Sequence, residues 1–416
     1  MSKKNGNNRI NVLPSLSDSG NTASIFFIRA VSLSALIYIL VCAIIGRGDF
    51  SKAFFIEGYD FFMDFFNSIR DAAQGSAVYT ERHVIYPPLA NVLYLILSKF
   101  TPEAYNNTTF EERYTWYTHT SAIVLLAVWC VICSLILIFI VTSIQKKGPL
   151  YQKIIISCLF ALSLPFLYVL ERGNIIILSL LALVIYAFTY NSDSKIKREI
   201  GLIALAFAFA IKLYPVVFGW FLIADKRFKD AIRCAVYGLL MLILPSFLFG
   251  GPICFYQIYL NIFSFSSGSG STLSVILNYI GATSVVQTIV TLLVYVWVLI
   301  CGVCFAVSPF IRKNAPYKTW ALGLVTILCV PSLTSIYSWA FMLIPLIMLF
   351  NMESLTKNQI VCSVMLAIPF VFLPFRFSFN VSGNMVLVYV MTAVFSVWCV
   401  VDMIKDTLEY IKERKT

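Results

Sequence analysis

Residues 200–224 read IGLIALAFAFAIKLYPVVFGWFLIA, a nearly continuous apolar segment interrupted by Lys212 and Pro215. About 20 apolar residues suffice for a helix to cross a hydrocarbon core of roughly 30 Å. This segment has the length, yet carries a cation and a helix breaker at its centre. Proline removes a backbone donor and clashes with the preceding turn, and backbone groups freed in this way are tolerated at membrane depth only where protein or water satisfies them. The segment therefore predicts two short helices, about twelve residues each, meeting at Lys212–Pro215. A lysine at such depth marks a pathway or site, or else snorkels to the interface.

Working outward, comparable apolar runs lie near 24–46, 119–143, 153–170, 174–190, 231–249, 284–309, 319–335, 338–351, 359–375 and 384–402. The 416 residues are 60% hydrophobic and only 12% charged, with a mean hydropathy of +0.85. Soluble domains hold about 25% charged residues, so a large soluble enzyme, a disordered chain and a nucleic-acid binder are excluded. The fold class is all-α integral membrane protein. The formal charge of +11 then reports topology, because Lys and Arg collect in cytoplasmic loops.

Basic residues cluster at Lys3/Lys4/Arg9, Lys146/Lys147/Lys153, Lys195/Lys197/Arg198, Lys226/Arg227/Lys229/Arg233, Arg312/Lys313/Lys318 and in the tail 405–415. Placing every cluster in the cytoplasm requires segment 86–100, opened by Tyr86-Pro87-Pro88, to enter and return or to lie along the interface. The result is a polytopic bundle of about twelve membrane helices, some short or broken, with both termini cytoplasmic. The polar start 1–23 and the end 403–416 form cytoplasmic tails around a single transmembrane domain, 24–402. The first apolar run is too long for a signal-peptide core and reads as a span.

The costly ionisable residues then share the outer side. The loop 47–85 carries Asp49, Asp60, Asp64 and Asp71, and the turn Glu171-Arg172-Gly173-Asn174, the Lys212 vertex and Arg376 lie on the same side. An uncharged loop near 250–283 falls on the same side, and within it the low-complexity stretch Ser267–Ser271 reads as a flexible loop. Within 59–74, YDFFMDFFNSIRDAAQ, a helical period gathers Asp60, Asp64, Asn67 and Asp71 within roughly 60°, opposite the phenylalanines. This predicts an amphipathic helix lying flat at the outer interface, its aromatic side in lipid or protein. Carboxylates stacked at i,i+4 repel, so a compensating group is expected, and a carboxylate beside a cavity can act as a general base. A cation at a helix break suits an anionic headgroup such as a phosphate. The pairs Cys130/Cys133 and Cys301/Cys304 sit mid-span and read as small hydrophobes. With only His83 and His119 available, no metal site is expected.

The order of these elements resembles a known family. MDFFNSI, QGSAVY before VIYPPLANVLYLIL, ERGNIIILSLLAL, AFAFAIKLYPVVFGWFLIADKRFKDA and SLTSIYSWAFMLIP follow one another over about 60–345, as in family 87 of the GT-C superfamily of membrane glycosyltransferases, the polyprenol-phosphate-mannose-type mannosyltransferases. The resemblance implies an inverting, metal-independent hexosyltransferase needing no cofactor, in the plasma membrane or a bacterial inner membrane, with an extracytoplasmic site. It implies a polyprenyl-phosphate sugar donor, mannose favoured, and a lipid or glycan acceptor. By the same resemblance Asp64 is the catalytic base, with Asp60 and Asp49 as alternates, and Arg172, Lys212 and Asn174 surround the donor phosphate. Tyr86, Tyr214, Tyr337, Trp339, Arg376 and His83 would line the substrate cavity. A secondary transporter or a flippase for lipid-linked glycans, using Lys212 and the broken segment 200–224, is the competing reading, since transporters also place ionisable residues at helix breaks.

Overall fold

The computed structural model describes residues 22–44, 61–109, 111–268, 272–311, 316–329, 336–373, 375–378 and 381–413. Asp49, Asp60, the start of the expected helix 59–74 and Ser269–Ser271 lie outside these. The described chain is almost wholly helical. Its one sheet pairs Arg376–Ser378 with Val381–Ser382 in an antiparallel hairpin. Five helices are long and apolar enough to cross a bilayer: Thr22–Ile44, Thr120–Ile144, Phe228–Phe249, Ser284–Ile311 and Gly383–Leu408. The last of these continues unbroken to Glu413.

The run expected as one span at 153–170 is instead two helices, Leu150–Ala161 and Leu164–Arg172, bent by 51°. Pro165 in the first turn of the second helix supplies the reason, since it can neither continue the preceding backbone ladder nor fit beside its carbonyls. Shorter apolar helices, among them Pro88–Phe100, Ile176–Thr189 and Tyr337–Phe350, pack within the bundle. At about 1.5 Å per residue, helices of this length fall short of a full crossing on their own.

Segment 200–224 breaks where its sequence predicts. A 17-residue helix, Lys195–Ile211, ends at an extended Lys212, and a 3₁₀ turn Tyr214–Gly219 leads into Trp220–Ala224. The first half is longer than expected because it recruits the polar stretch from Lys195, capped by the Ser194 hydroxyl.

Segment 86–100 forms one short helix within the bundle. Its helix Pro88–Leu97 packs against Met63–Ala72, and the chain beyond it returns to that same helix. Gln74 donates to the Asn106 carbonyl at 2.8 Å and Arg70 to the Thr109 carbonyl at 3.1 Å. The helix within 59–74 runs from Met63 to Ala72. Phe65, Phe66 and Ile69 are fully buried among Tyr94, Tyr105 and Trp116, so its aromatic side faces protein.

Polar contacts collect at two ends of the bundle. At one end, Lys147 pairs with Glu353, Asn351 donates to the Ile144 carbonyl, Arg227 reaches the Tyr190 carbonyl, Arg233 bridges Glu199 and Asp230, and Lys318 pairs with Asp402. These contacts tie together the basic ends of successive helices. The helices then run to an opposite end, where the acidic loop, the Arg172 turn and the Lys212 vertex meet.

Candidate functional site

Three helix ends converge with complementary charge. Asp64 lies in the first turn of Met63–Ala72, where the exposed amide groups and helix dipole favour an anion. Arg172 closes Leu164–Arg172, and Lys212 follows the last residue of Lys195–Ile211, where unsatisfied carbonyls favour cations.

The turn after Arg172 is built to bring them together. Gly173 adopts a left-handed conformation, φ 62°. Its amide and that of Asn174 donate to the Leu170 and Val169 carbonyls, the paired bonds of a Schellman closure. A Cβ on Gly173 would lie 2.4 Å from the Phe65 Cβ, so glycine is needed for both conformation and close approach. On the facing helix Phe62 is also left-handed, φ 60°, and its N–H donates to the Glu171 carbonyl at 2.8 Å. The acidic helix is thereby pinned onto the Arg172 turn.

Asp64 consequently meets its compensating cation. Arg172 Nη2 donates to Asp64 Oδ1 at 2.5 Å, and Asn174 Nδ2 donates to Asp64 Oδ2 at 2.7 Å. Asn174 Oδ1 accepts from the Ile176 amide at 2.9 Å, capping the next helix as an asparagine at that position does. That bond fixes the amide orientation, so Nδ2 faces Asp64 and also reaches the hydroxyls of Tyr86 at 3.0 Å and Tyr337 at 3.4 Å. Lys212 Nζ stands 4.2 Å from the centroid of the Tyr86 ring, a cation–π distance, within electrostatic reach of Asp64.

Of the expected site residues, Asp64, Arg172, Asn174, Lys212, Tyr86 and Tyr337 therefore form one cluster. Tyr214 lies beside it with its ring 5.9 Å from Phe341, and Trp339 is fully buried in the adjacent 3₁₀ turn, 6.2 Å from the Tyr389 ring. His83 is exposed, with left-handed backbone, in the loop before Tyr86, and Arg376 lies on the short hairpin. Sequence reasoning missed Tyr94, whose hydroxyl accepts from the Ile175 amide at 3.2 Å, and the Phe62 contact. Neither has a local signal, since each is an aromatic residue in an aromatic-rich run.

The Tyr86-Pro87-Pro88 approach is held by side chains. Asn91 donates to the Tyr79 hydroxyl at 2.8 Å, and that hydroxyl donates to the Tyr86 carbonyl at 3.1 Å. Among the described residues, no three His, Cys, Asp or Glu side chains come together as a metal site would require, and all eleven cysteines are free.

Chemically, the cluster offers a carboxylate whose two oxygens each accept one oriented hydrogen bond and keep a further lone pair. Two cations stand around it. Such a set can take a proton and neutralise a nearby anion at once.

A sequence model described as Glycosyltransferase family 87 matches residues 84–335. That match takes in Tyr86, Arg172, Asn174, Lys212 and Tyr214; Asp64 lies before it and Tyr337 just after. No curated protein and no solved structure matches the chain.

Proposed function

Because the chain belongs to glycosyltransferase family 87, and so is a GT-C-type membrane glycosyltransferase, we propose that it moves a hexose from a polyprenyl-phosphate donor to an acceptor hydroxyl. The observation that carries the reading is Asp64 held between Arg172 and Asn174, with Lys212 over Tyr86 beside it. Mannose is the favoured sugar, and a lipid or glycan carries the acceptor hydroxyl.

In this reading the acceptor oxygen attacks the anomeric carbon as Asp64 takes its proton. The bond from that carbon to the phosphate oxygen breaks on the opposite face, so the configuration inverts. Lys212 and Arg172 stabilise the charge developing on the departing polyprenyl phosphate, the role of preorganised donors at a growing anion. By resemblance to the family the reaction needs no metal, and the two fixed cations supply the neutralisation that a divalent ion provides elsewhere. Asn174, bound to the next helix through its own carbonyl oxygen, keeps the carboxylate in register. Basic helix ends on one side and this cluster on the other support an extracytoplasmic site, which this reading sets in a plasma-membrane bundle of about twelve membrane segments with cytoplasmic termini.

The test uses purified full-length protein in lipid nanodiscs, given polyprenyl-phosphate mannose or glucose and a glycolipid extract, with transfer followed by mass spectrometry. Transfer by wild type and its loss in Asp64→Asn is the expected result. Transfer by both proteins would move the base away from Asp64. No transfer with any donor, from folded protein, would overturn the polyprenyl-phosphate reading.

A further inference from the structure

The helix expected at 59–74 has its aromatic side in protein, while the uncharged segment expected as an outer loop near 250–283 carries two helices, Cys254–Gly268 and Thr272–Tyr279. Gly250 and Gly251, both left-handed, turn the chain sharply after Phe249. Pro252 follows, and the helix Cys254–Gly268 begins. This helix has two faces. Cys254, Ile258 and Asn261 are buried against the short helix Ala77–Thr80 and the loop after it. On the opposite arc, with Ile253 just before the helix, Tyr256, Tyr259 and Leu260 are exposed at 72%, 62%, 63% and 38%, in chain order.

A face of that composition is not built for water. No Asp, Glu, Lys, Arg or His occurs anywhere from Cys234 to Ile311, so the helix carries no charged side. Its exposed arc follows directly on the apolar surface of the preceding span, where Leu244, Phe247 and Leu248 are also exposed. Tyrosines concentrate where apolar chains meet headgroups, because the ring is apolar and the hydroxyl is wet. We propose that Cys254–Gly268 lies in the outer membrane–water interface, with Ile253, Tyr256, Tyr259 and Leu260 in lipid, and holds the Tyr79–Val84 loop from that position.

The grip is specific. Asn261 Nδ2 donates to the Tyr79 carbonyl at 2.9 Å and to the Val84 carbonyl at 3.1 Å. Tyr79 in turn bonds the Tyr86 carbonyl, so the lipid-seated helix is two hydrogen bonds from the residue beneath Lys212. The partner is the bilayer itself, and this inference does not rest on which sugar is transferred or on Asp64.

Full-length protein in nanodiscs containing lipids with a diazirine in the upper acyl chain, irradiated and mapped by peptide mass spectrometry, tests the placement. Labelling at Tyr256 or Tyr259 is expected, resolved from the flanking spans by chymotryptic cleavage and fragmentation. Its absence, or capture of these residues only in a cross-link to a second copy of the chain, overturns the proposal. The grip is read separately by limited trypsin digestion, since Arg82 lies within the held loop. Asn261→Ala should speed cleavage after Arg82 roughly thirtyfold, the effect of losing two buried hydrogen bonds worth about 1 kcal/mol each, in protein that remains monodisperse. Unchanged cleavage would remove the coupling.

Discussion

Asp64 and Asp71 stand on one face of the helix Met63–Ala72, each against an arginine, and differ in where that arginine originates. Arg172 reaches Asp64 from 108 residues away, and the pair keeps 11% and 20% of its side-chain surface exposed. Arg70 is Asp71's chain neighbour, and that pair is nearly closed, at 3% and 12%. Arg70 also donates from Nη1 to the Thr109 carbonyl, tying down the return of the chain after 86–100. One carboxylate joins separate elements around an accessible cluster, and the other fastens a loop. Identical residue types on one helix face thus carry different tasks, set by what the tertiary fold brings to each.

The same substitution at both positions should break the symmetry most visibly. Asp64→Asn keeps shape and hydrogen-bonding capacity but removes the proton acceptor, so kcat should fall about 10²–10⁴-fold, the usual contribution of a positioned base. Asp71→Asn keeps an acceptor for Arg70 and should leave turnover near the wild-type value. Donor-saturated transfer assays on both variants check this. Equal losses would mean that the two aspartates share one role.

Lys212 sharpens the accessible side of the comparison. Lys212→Met removes the charge while retaining an apolar stem of similar length, and transfer should fall about 10²–10³-fold, as when one charge-stabilising donor is lost. Lys212→Arg should recover part of this, because a guanidinium also binds phosphate, though on different geometry. A Met variant with full activity would leave the charge neutralisation to Arg172 alone.

Gly173 controls whether the accessible pair forms at all. Gly173→Ala must hold a left-handed backbone, at about 1–2 kcal/mol, and place a Cβ against Phe65. A lower melting midpoint and weakened transfer are expected together, with Asp71 and its loop unaffected in a proteolysis map. Full activity in this variant would show that the helix and the turn need not touch so closely.

Much of this was legible in the sequence. The all-helical membrane class, the break at Lys212–Pro215 and the need for a cation near the acidic stripe follow from local chemistry that any bilayer protein must obey. The Ser163–Pro165 bend carries the same signal as Pro215, a proline inside an apolar run, but no charged residue marks it. Which partner covers the apolar face of 59–74, and that 254–268 has an outward apolar face at all, were hidden for a different reason. Hydrophobic period says that a helix has an apolar face, but it does not say whether protein or lipid covers it. Phe65 and Phe66 found Tyr94, Tyr105 and Trp116, while Tyr256 and Tyr259 stayed outside. Tyr94 and Phe62 act through long-range backbone contacts, which leave no trace in spacing.

The smallest effect concerns the closed side, and its sign is informative. Burial raises the Asp71 carboxyl above its ordinary value near 3.8, although Arg70 pulls the other way. The folded protein therefore binds more protons at this site than the unfolded chain in the window that starts near 3.8 and runs upward to the raised value. Stability contributed by the protonated carboxyl is present below that window and declines as pH rises through it. Asp71→Asn lacks this titration, so the difference in melting temperature between wild type and variant should move against wild type as pH rises above the ordinary value near 3.8 and through the raised one, and then level. A difference moving in favour of wild type would mean that attraction to Arg70 outweighs burial. The Arg70–Asp71 pair would then stabilise the fold through its charge, and the two aspartates would differ only in the distance from which their arginines come.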